Sequence, residues 1–197
     1  LRLNSPNAMC VKLDGAFYFT DPPYAIQPGV PGMPRPEGWG ANPIPGKEQS
    51  CNGVYRLGPD GSLDLLLDDF ALPNGLAFSP DESILYVDDS ARKQIQAFDV
   101  GADGRLSNNR ILLDMPSEHP VWPDGLKLDQ QGNVFCTGPG GVWRCRASRS
   151  AAEGSRLRTR HDKTQSRSFV VLHGVAWPNP FTPPTVRLAS PPRPPVR

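Results

Sequence analysis

Several residue types and patterns are scarce in this chain of 197 residues. Histidine is limited to His119, His161 and His173, and the four cysteines lie 41, 85 and 9 residues apart. With no Cys-x-x-Cys pair, the spacing argues against a structural zinc site. No apolar run approaches the roughly 20 residues that cross a bilayer as a helix, so no membrane association is expected. Gly138-Pro139-Gly140-Gly141 lacks the Lys-Ser/Thr of a phosphate-binding loop and reads as a turn. No Ser/His/Asp arrangement points to a nucleophilic triad. What the chain does have is 24 Pro and 19 Gly. Such a composition disfavours a helical bundle and favours an all-β fold of short strands joined by turns.

The formal net charge of +1 hides two unlike segments. Residues 1–145 hold 11 Lys+Arg against 18 Asp+Glu, a net of −7, while residues 146–197 hold 10 against 2, a net of +8. Arg, Pro, Ser and Ala make up 28 of the last 52 residues. A change this abrupt marks a boundary between a folded segment, 1–145, and a basic tail, 146–197, expected to be disordered.

The acidic segment repeats one template three times. Ser5-Pro6-Asn7 runs to Thr20-Asp21, Leu72-Pro73-Asn74-Gly75 to Asp88-Asp89, and Trp122-Pro123-Asp124-Gly125 to Thr137. From the amide or acid to Thr20, Asp88 and Thr137 the distances are 13, 14 and 13 residues. Each unit reads as an apolar strand, a polar turn and a second apolar strand. Between them lie further hairpins, Val54–Leu57 with Leu63–Leu67 around Pro59-Asp60-Gly61, and Ile95–Phe98 with Ile111–Leu113 around Asp103-Gly104. Four-strand units at such intervals predict a β-propeller, of which about two and a half blades are present. Residues 22–49, where 13 of 28 are Pro or Gly, form a long loop between strands.

In a propeller the innermost strands line a central channel, so Asn7, Asn74 and Asp124 are expected to converge at one end of it. Two amide oxygens and a carboxylate suit a hard cation such as Ca²⁺ or Mg²⁺. Asp124, the one anionic member, is also a candidate general base. The alternative at this level is that Pro-Asn-Gly and Pro-Asp-Gly only start strands.

The segments Asp69-Phe70-Ala71-Leu72-Pro73-Asn74-Gly75-Leu76-Ala77-Phe78-Ser79-Pro80-Asp81-Glu82, Tyr18-Phe19-Thr20-Asp21-Pro22-Pro23-Tyr24 and Pro123-Asp124-Gly125-Leu126-Lys127, with Ser5-Pro6-Asn7, resemble the gluconolactonase/regucalcin (senescence marker protein) family. The resemblance covers about 1–145. It implies an incomplete six-bladed β-propeller and hydrolysis of a sugar lactone. It also implies one divalent cation, Ca²⁺ foremost, with Mg²⁺, Mn²⁺ or Zn²⁺ as alternatives. By motif, Asn74 and Asp124 match metal ligands of the family, Asp124 also its base. Asn7 matches an Asn facing the ion directly or through substrate. Tyr24, at the start of the long loop, is a candidate substrate contact.

Two departures matter. The family's metal-binding Glu would lie before Leu1, and Ala8 stands where the family has Asp after Asn7. The segment is therefore expected to bind its ion weakly and to be inactive alone. The rival readings are a non-enzymatic propeller that binds Ca²⁺ or a small ligand, and an Arg/Pro-rich interaction protein acting through its tail. No nucleic-acid partner is expected. The tail reads as the translation of a shifted or intronic frame. Cys10 and Cys136 fall at apolar strand positions and read as free thiols, which points to a reducing, cytoplasmic compartment. His119 reads as a loop histidine, and Trp39 as a loop residue able to stack on a sugar ring.

Overall fold

A computed structural model describes residues 1–26, 46–115, 122–139 and 141–146. Among these residues there are eleven strands in three antiparallel sheets. The first sheet comprises β1 (Met9–Val11), β2 (Phe17–Asp21), β3 (Gly53–Leu57) and β4 (Leu63–Leu67), hydrogen-bonded in chain order. In the second, β5 (Pro73–Phe78), β6 (Ile84–Asp89), β7 (Gln94–Val100) and β8 (Leu106–Asp114) repeat that order. The third has β9 (Leu126–Leu128), β10 (Asn133–Gly138) and β11 (Gly141–Arg146). Two blades are therefore complete and the third has three strands. His119, Trp39, most of the long loop at 22–49 and all but the first residue of the 146–197 tail lie outside the described residues.

The turns follow from local chemistry. At Asp14-Gly15, Asp60-Gly61 and Asp103-Gly104, an Asp carboxylate accepts the N–H two residues on, from Ala16, Ser62 and Arg105, at 2.9–3.0 Å. The following Gly takes a left-handed backbone that side chains disfavour. Gly104 (φ 77°) is constrained twice, because an added Cβ would also lie 2.8 Å from the Tyr18 hydroxyl. That hydroxyl donates to the Gly104 carbonyl at 2.9 Å and so staples the first sheet to the second.

Successive residues of a strand face opposite sides of its sheet, and β6 uses both sides. Leu85 and Val87 enter a core with Ala16, Tyr18, Val54, Phe70 and Phe98, shared with the first sheet. Ile84 and Tyr86 enter a second core with Ile95, Leu126, Val134 and Cys136, shared with the third sheet. Every residue of β6 is buried. The far face of the first sheet has no such cover among the described residues. Met9 (63% exposed), Val11, Phe17, Leu57, Leu63 (52%) and Leu65 lie on it, in cross-strand register. Leu85→Ala should therefore destabilise the chain by about 2–5 kcal/mol through transfer loss and cavity. Leu63→Ala should stay within about 0.5 kcal/mol. Urea unfolding of the two variants checks the difference.

Candidate functional site

The three Pro-Asn/Asp segments are fixed by one repeated bond. Directly after the Asn or Asp, a backbone N–H is held by the side chain that ends the inner hairpin. Ala8 N–H donates to Thr20 Oγ1 at 3.2 Å, and Gly125 N–H to Thr137 Oγ1 at 3.0 Å. In the middle repeat Gly75 N–H donates to the Asp88 carboxyl instead. A carboxyl needs more room than a hydroxyl, and Gly75 supplies it. A Cβ there would lie 2.5 Å from Asp88 Oδ2 and 2.6 Å from the Asp124 carbonyl oxygen. Asn74 and Gly75 lie inside β5, so this Gly serves close approach between blades and not a turn.

A second repeated clamp acts on the preceding residues. The Asp21 carboxylate accepts the N–H groups of Asn4 and Ser5, each at 2.8 Å. The Asp89 carboxylate accepts those of Ala71 and Leu72 at 2.8 and 3.2 Å. The third repeat has Gly138 at this place, where an added Cβ would meet Met115 and Trp143 at 3.1 Å.

Hydrogen bonds between blades bring the three segments together. Thr20 Oγ1 donates to the Asn74 backbone carbonyl at 2.8 Å, which links the Asn7 segment to β5. Ser90 Oγ donates to the Pro123 carbonyl at 2.6 Å, which links the second blade to the segment carrying Asp124. Asn74 is buried, whereas Asn7 and Asp124 are exposed. Tyr24, half-buried, donates its hydroxyl hydrogen to Ser90 Oγ at 3.0 Å and accepts from Asn74 Nδ2 at 3.2 Å. Burial above all pushes its phenol up to about 12, so it is neutral at physiological pH. Sequence reasoning missed Ser90 and the roles of Thr20 and Asp88. The signal was the constant spacing, which had already placed Thr20, Asp88 and Thr137 in one position of the repeat.

The donors present fit a hard cation. Asn74 spends its side-chain nitrogen on Tyr24 and Ser90, while its side-chain oxygen, Oδ1, accepts no hydrogen bond among the described residues. Of the other two candidates, Asp124 has an exposed carboxylate and Asn7 an exposed amide, both oxygen donors of the kind a hard cation takes. Among the described residues no three His, Cys, Asp or Glu side chains form a metal-binding group. Any ion here would rest on amide oxygens and one carboxylate, a set of low charge and hence modest affinity. All four cysteines are free thiols; Cys136 is buried and Cys10 half-buried, with burial pushing the Cys10 thiol up to about 12.

Asp88 is the electrostatic oddity. Its side chain is inaccessible to solvent, and its Oδ1 has no hydrogen-bond partner. Burial, then the nearby Asp124 charge, raises its pKa well above that of an ordinary carboxyl. The folded chain thus holds a proton that the unfolded chain releases near its ordinary pKa of about 3.9. This contribution to stability is complete below that pH and is lost as pH rises through the folded-state value. Asp88→Asn should remove this fall. Urea unfolding of both chains from pH 4 to pH 7 measures it, and parallel slopes would contradict the assignment.

Consecutive four-stranded antiparallel sheets, packed face to face with their first strands adjacent, define the chain as part of a β-propeller. The family model described as SMP-30/gluconolactonase/LRE-like region matches residues 1–164. The chain belongs to this family. The gluconolactonase of Zymomonas mobilis is 38% identical over 149 residues, covering 72% of this chain and 38% of that one. Regucalcin of Bos taurus is 32% identical over 128 residues, covering 62% of this chain and 41% of its own length. Among solved structures, a gluconolactonase from Xanthomonas campestris superimposes with a TM-score of 0.58 at 39% identity, over 74% of this chain and 44% of that one. A calcium-binding protein, regucalcin from Agrobacterium tumefaciens, superimposes with a TM-score of 0.53 at 19% identity, over 72% and 42%, a likeness of fold. The chain thus spans less than half the length of these relatives.

Proposed function

We propose that the propeller to which these blades correspond hydrolyses a sugar lactone with the help of one divalent cation, Ca²⁺ foremost. The observation that carries this reading is the Asn74 side-chain oxygen, unspent among the described residues, on a hydrogen-bond network that also fixes the segment bearing the exposed Asp124 carboxylate. It is supported by relatives that are themselves gluconolactonases. Asn74 and Asp124 would hold the ion, with Asn7 facing it directly or through substrate. When bound, such an ion supplies positive charge that polarises a carbonyl and acidifies water.

The rest is the work of the chain itself. Attack of water on the lactone carbonyl releases a proton, and the Asp124 carboxylate is the base that takes it. That proton is then available to the ring oxygen as the ester C–O bond breaks, which gives the open hydroxy acid. Tyr24, neutral and beside Asn74, borders the place where the substrate would sit and orders that edge of it through Ser90. Asn74 keeps its nitrogen away from the reacting carbonyl, so that only an oxygen is offered to the ion.

The test is acid release from a sugar lactone, with and without EDTA, by this chain and by a propeller in which the same three blades are completed with those of a relative. The completed propeller should lose activity on chelation. Asp124→Ala should lower its rate by roughly 10²–10⁴-fold, the usual weight of a general base. Hydrolysis that survives both treatments would refute the reading. The chain without further blades should be inactive.

A further inference from the structure

The hydrogen bonds around Ser90 carry more than a list of contacts. Ser90 is inaccessible to solvent and its hydroxyl meets three neighbours: the Pro123 carbonyl at 2.6 Å, the Tyr24 hydroxyl at 3.0 Å and Asn74 Nδ2 at 3.1 Å. A serine has one hydrogen to give and two lone pairs to receive. The Pro123 carbonyl can only accept, so the Ser90 hydrogen goes there. Ser90 therefore receives from both Tyr24 and Asn74. The Tyr24 hydrogen is then spent on Ser90, so Tyr24 can only receive from Asn74, across 3.2 Å. Every hydrogen of the two hydroxyls is committed before Asn74 is reached. An amide turned the other way would set its oxygen against two oxygens with no hydrogen to offer, at the cost of a buried unsatisfied group. Ser90 is also tied through its own N–H to the Leu72 carbonyl, at 2.9 Å, just before Asn74.

We propose that Ser90 is a positioning residue: by committing the hydroxyl hydrogens around it, it holds the Asn74 amide in one orientation, nitrogen inward and oxygen free to meet a cation, and it ties that amide to the segment bearing Asp124. This rests on the reading of Asn74 as a cation ligand given above. Ser90 itself touches neither ion nor substrate.

The donor order makes an unusual prediction for a pair of variants. In Ser90→Ala the Tyr24 hydroxyl loses the acceptor it has in Ser90, and the Asn74 side-chain oxygen, turned inward, becomes an acceptor within its reach. Ca²⁺ affinity of the full chain, measured by calorimetric titration, should fall roughly 10–100-fold, the range seen when a group orienting a ligand is lost. Tyr24→Phe keeps Ser90 and its bond to Pro123, so the amide keeps its orientation and the affinity changes less. Adding Tyr24→Phe to Ser90→Ala removes the competing hydrogen and should recover part of the loss. Two purely structural losses would instead compound. A double variant that binds no tighter than Ser90→Ala, or a Ser90→Ala chain with unchanged affinity, overturns the proposal.

A readout without any ion separates the two readings. The side-chain NH₂ resonances of Asn74 in a ¹⁵N-labelled chain should shift strongly in Ser90→Ala and less in Tyr24→Phe. Unshifted resonances in Ser90→Ala would overturn the proposal. Resonances that shift as expected in a chain that binds no Ca²⁺ would uphold the orienting role of Ser90 and bring down the cation reading instead.

Discussion

Strand β6 is enclosed on both faces, and the remaining described elements are arranged around what it buries. Leu85 and Val87 hold the first sheet, while Ile84 and Tyr86 hold the third. A strand buried on both faces loses the usual alternation of polar and apolar residues. The run Ile84-Leu85-Tyr86-Val87 shows this in sequence, as a continuous apolar stretch. The polar residues that follow, Asp88, Asp89 and Ser90, are also fully buried. They are tolerable only because Asp89 and Ser90 are satisfied by neighbouring N–H, C=O and hydroxyl groups, while Asp88 keeps one N–H partner and one unpaired oxygen.

Those three residues are where packing turns into chemistry. Asp89 shapes the segment entering β5, Asp88 fills the space that Gly75 leaves, and Ser90 reaches across to Pro123. The candidate ligands Asn74 and Asp124 are placed by backbone and buried side chains on the second and third blades. A site built this way is only as well ordered as the contact between two sheets, which explains why the polar bridges fall at that contact.

Much of the fold was legible in the sequence because its signals are local. Asp-Gly turns, alternating apolar residues and a spacing of 13 or 14 residues all repeat within a few turns of chain, and the structure returns the corresponding hairpins. The meeting of Asn74 with Tyr24, 50 residues apart, and of Ser90 with Pro123, 33 apart, was not legible as a set of bonds. Repeat alignment could place Asn7, Asn74 and Asp124 at equivalent positions. It could not say that a buried hydroxyl between blades decides which way an amide points, since Ser90 lies two residues beyond the template. The middle repeat departs from its neighbours at one position. Asp88 stands where they have Thr20 and Thr137, and Gly75, matched by Gly125 in the third repeat, leaves the room that its carboxyl takes.

The chain order within each sheet has a kinetic consequence. Each blade is a meander of consecutive strands, and the whole second sheet is contained in residues 73–114. Such local pairing can form early, while the polypeptide is still being made. At roughly 5–20 residues per second, about 3–10 s separate the emergence of one blade from the emergence of the next. During that interval the newest sheet presents a bare apolar face of the kind that Met9, Val11, Phe17 and Leu63 form on the first. A propeller of this kind is most prone to aggregate while it is being synthesised, one uncovered blade at a time.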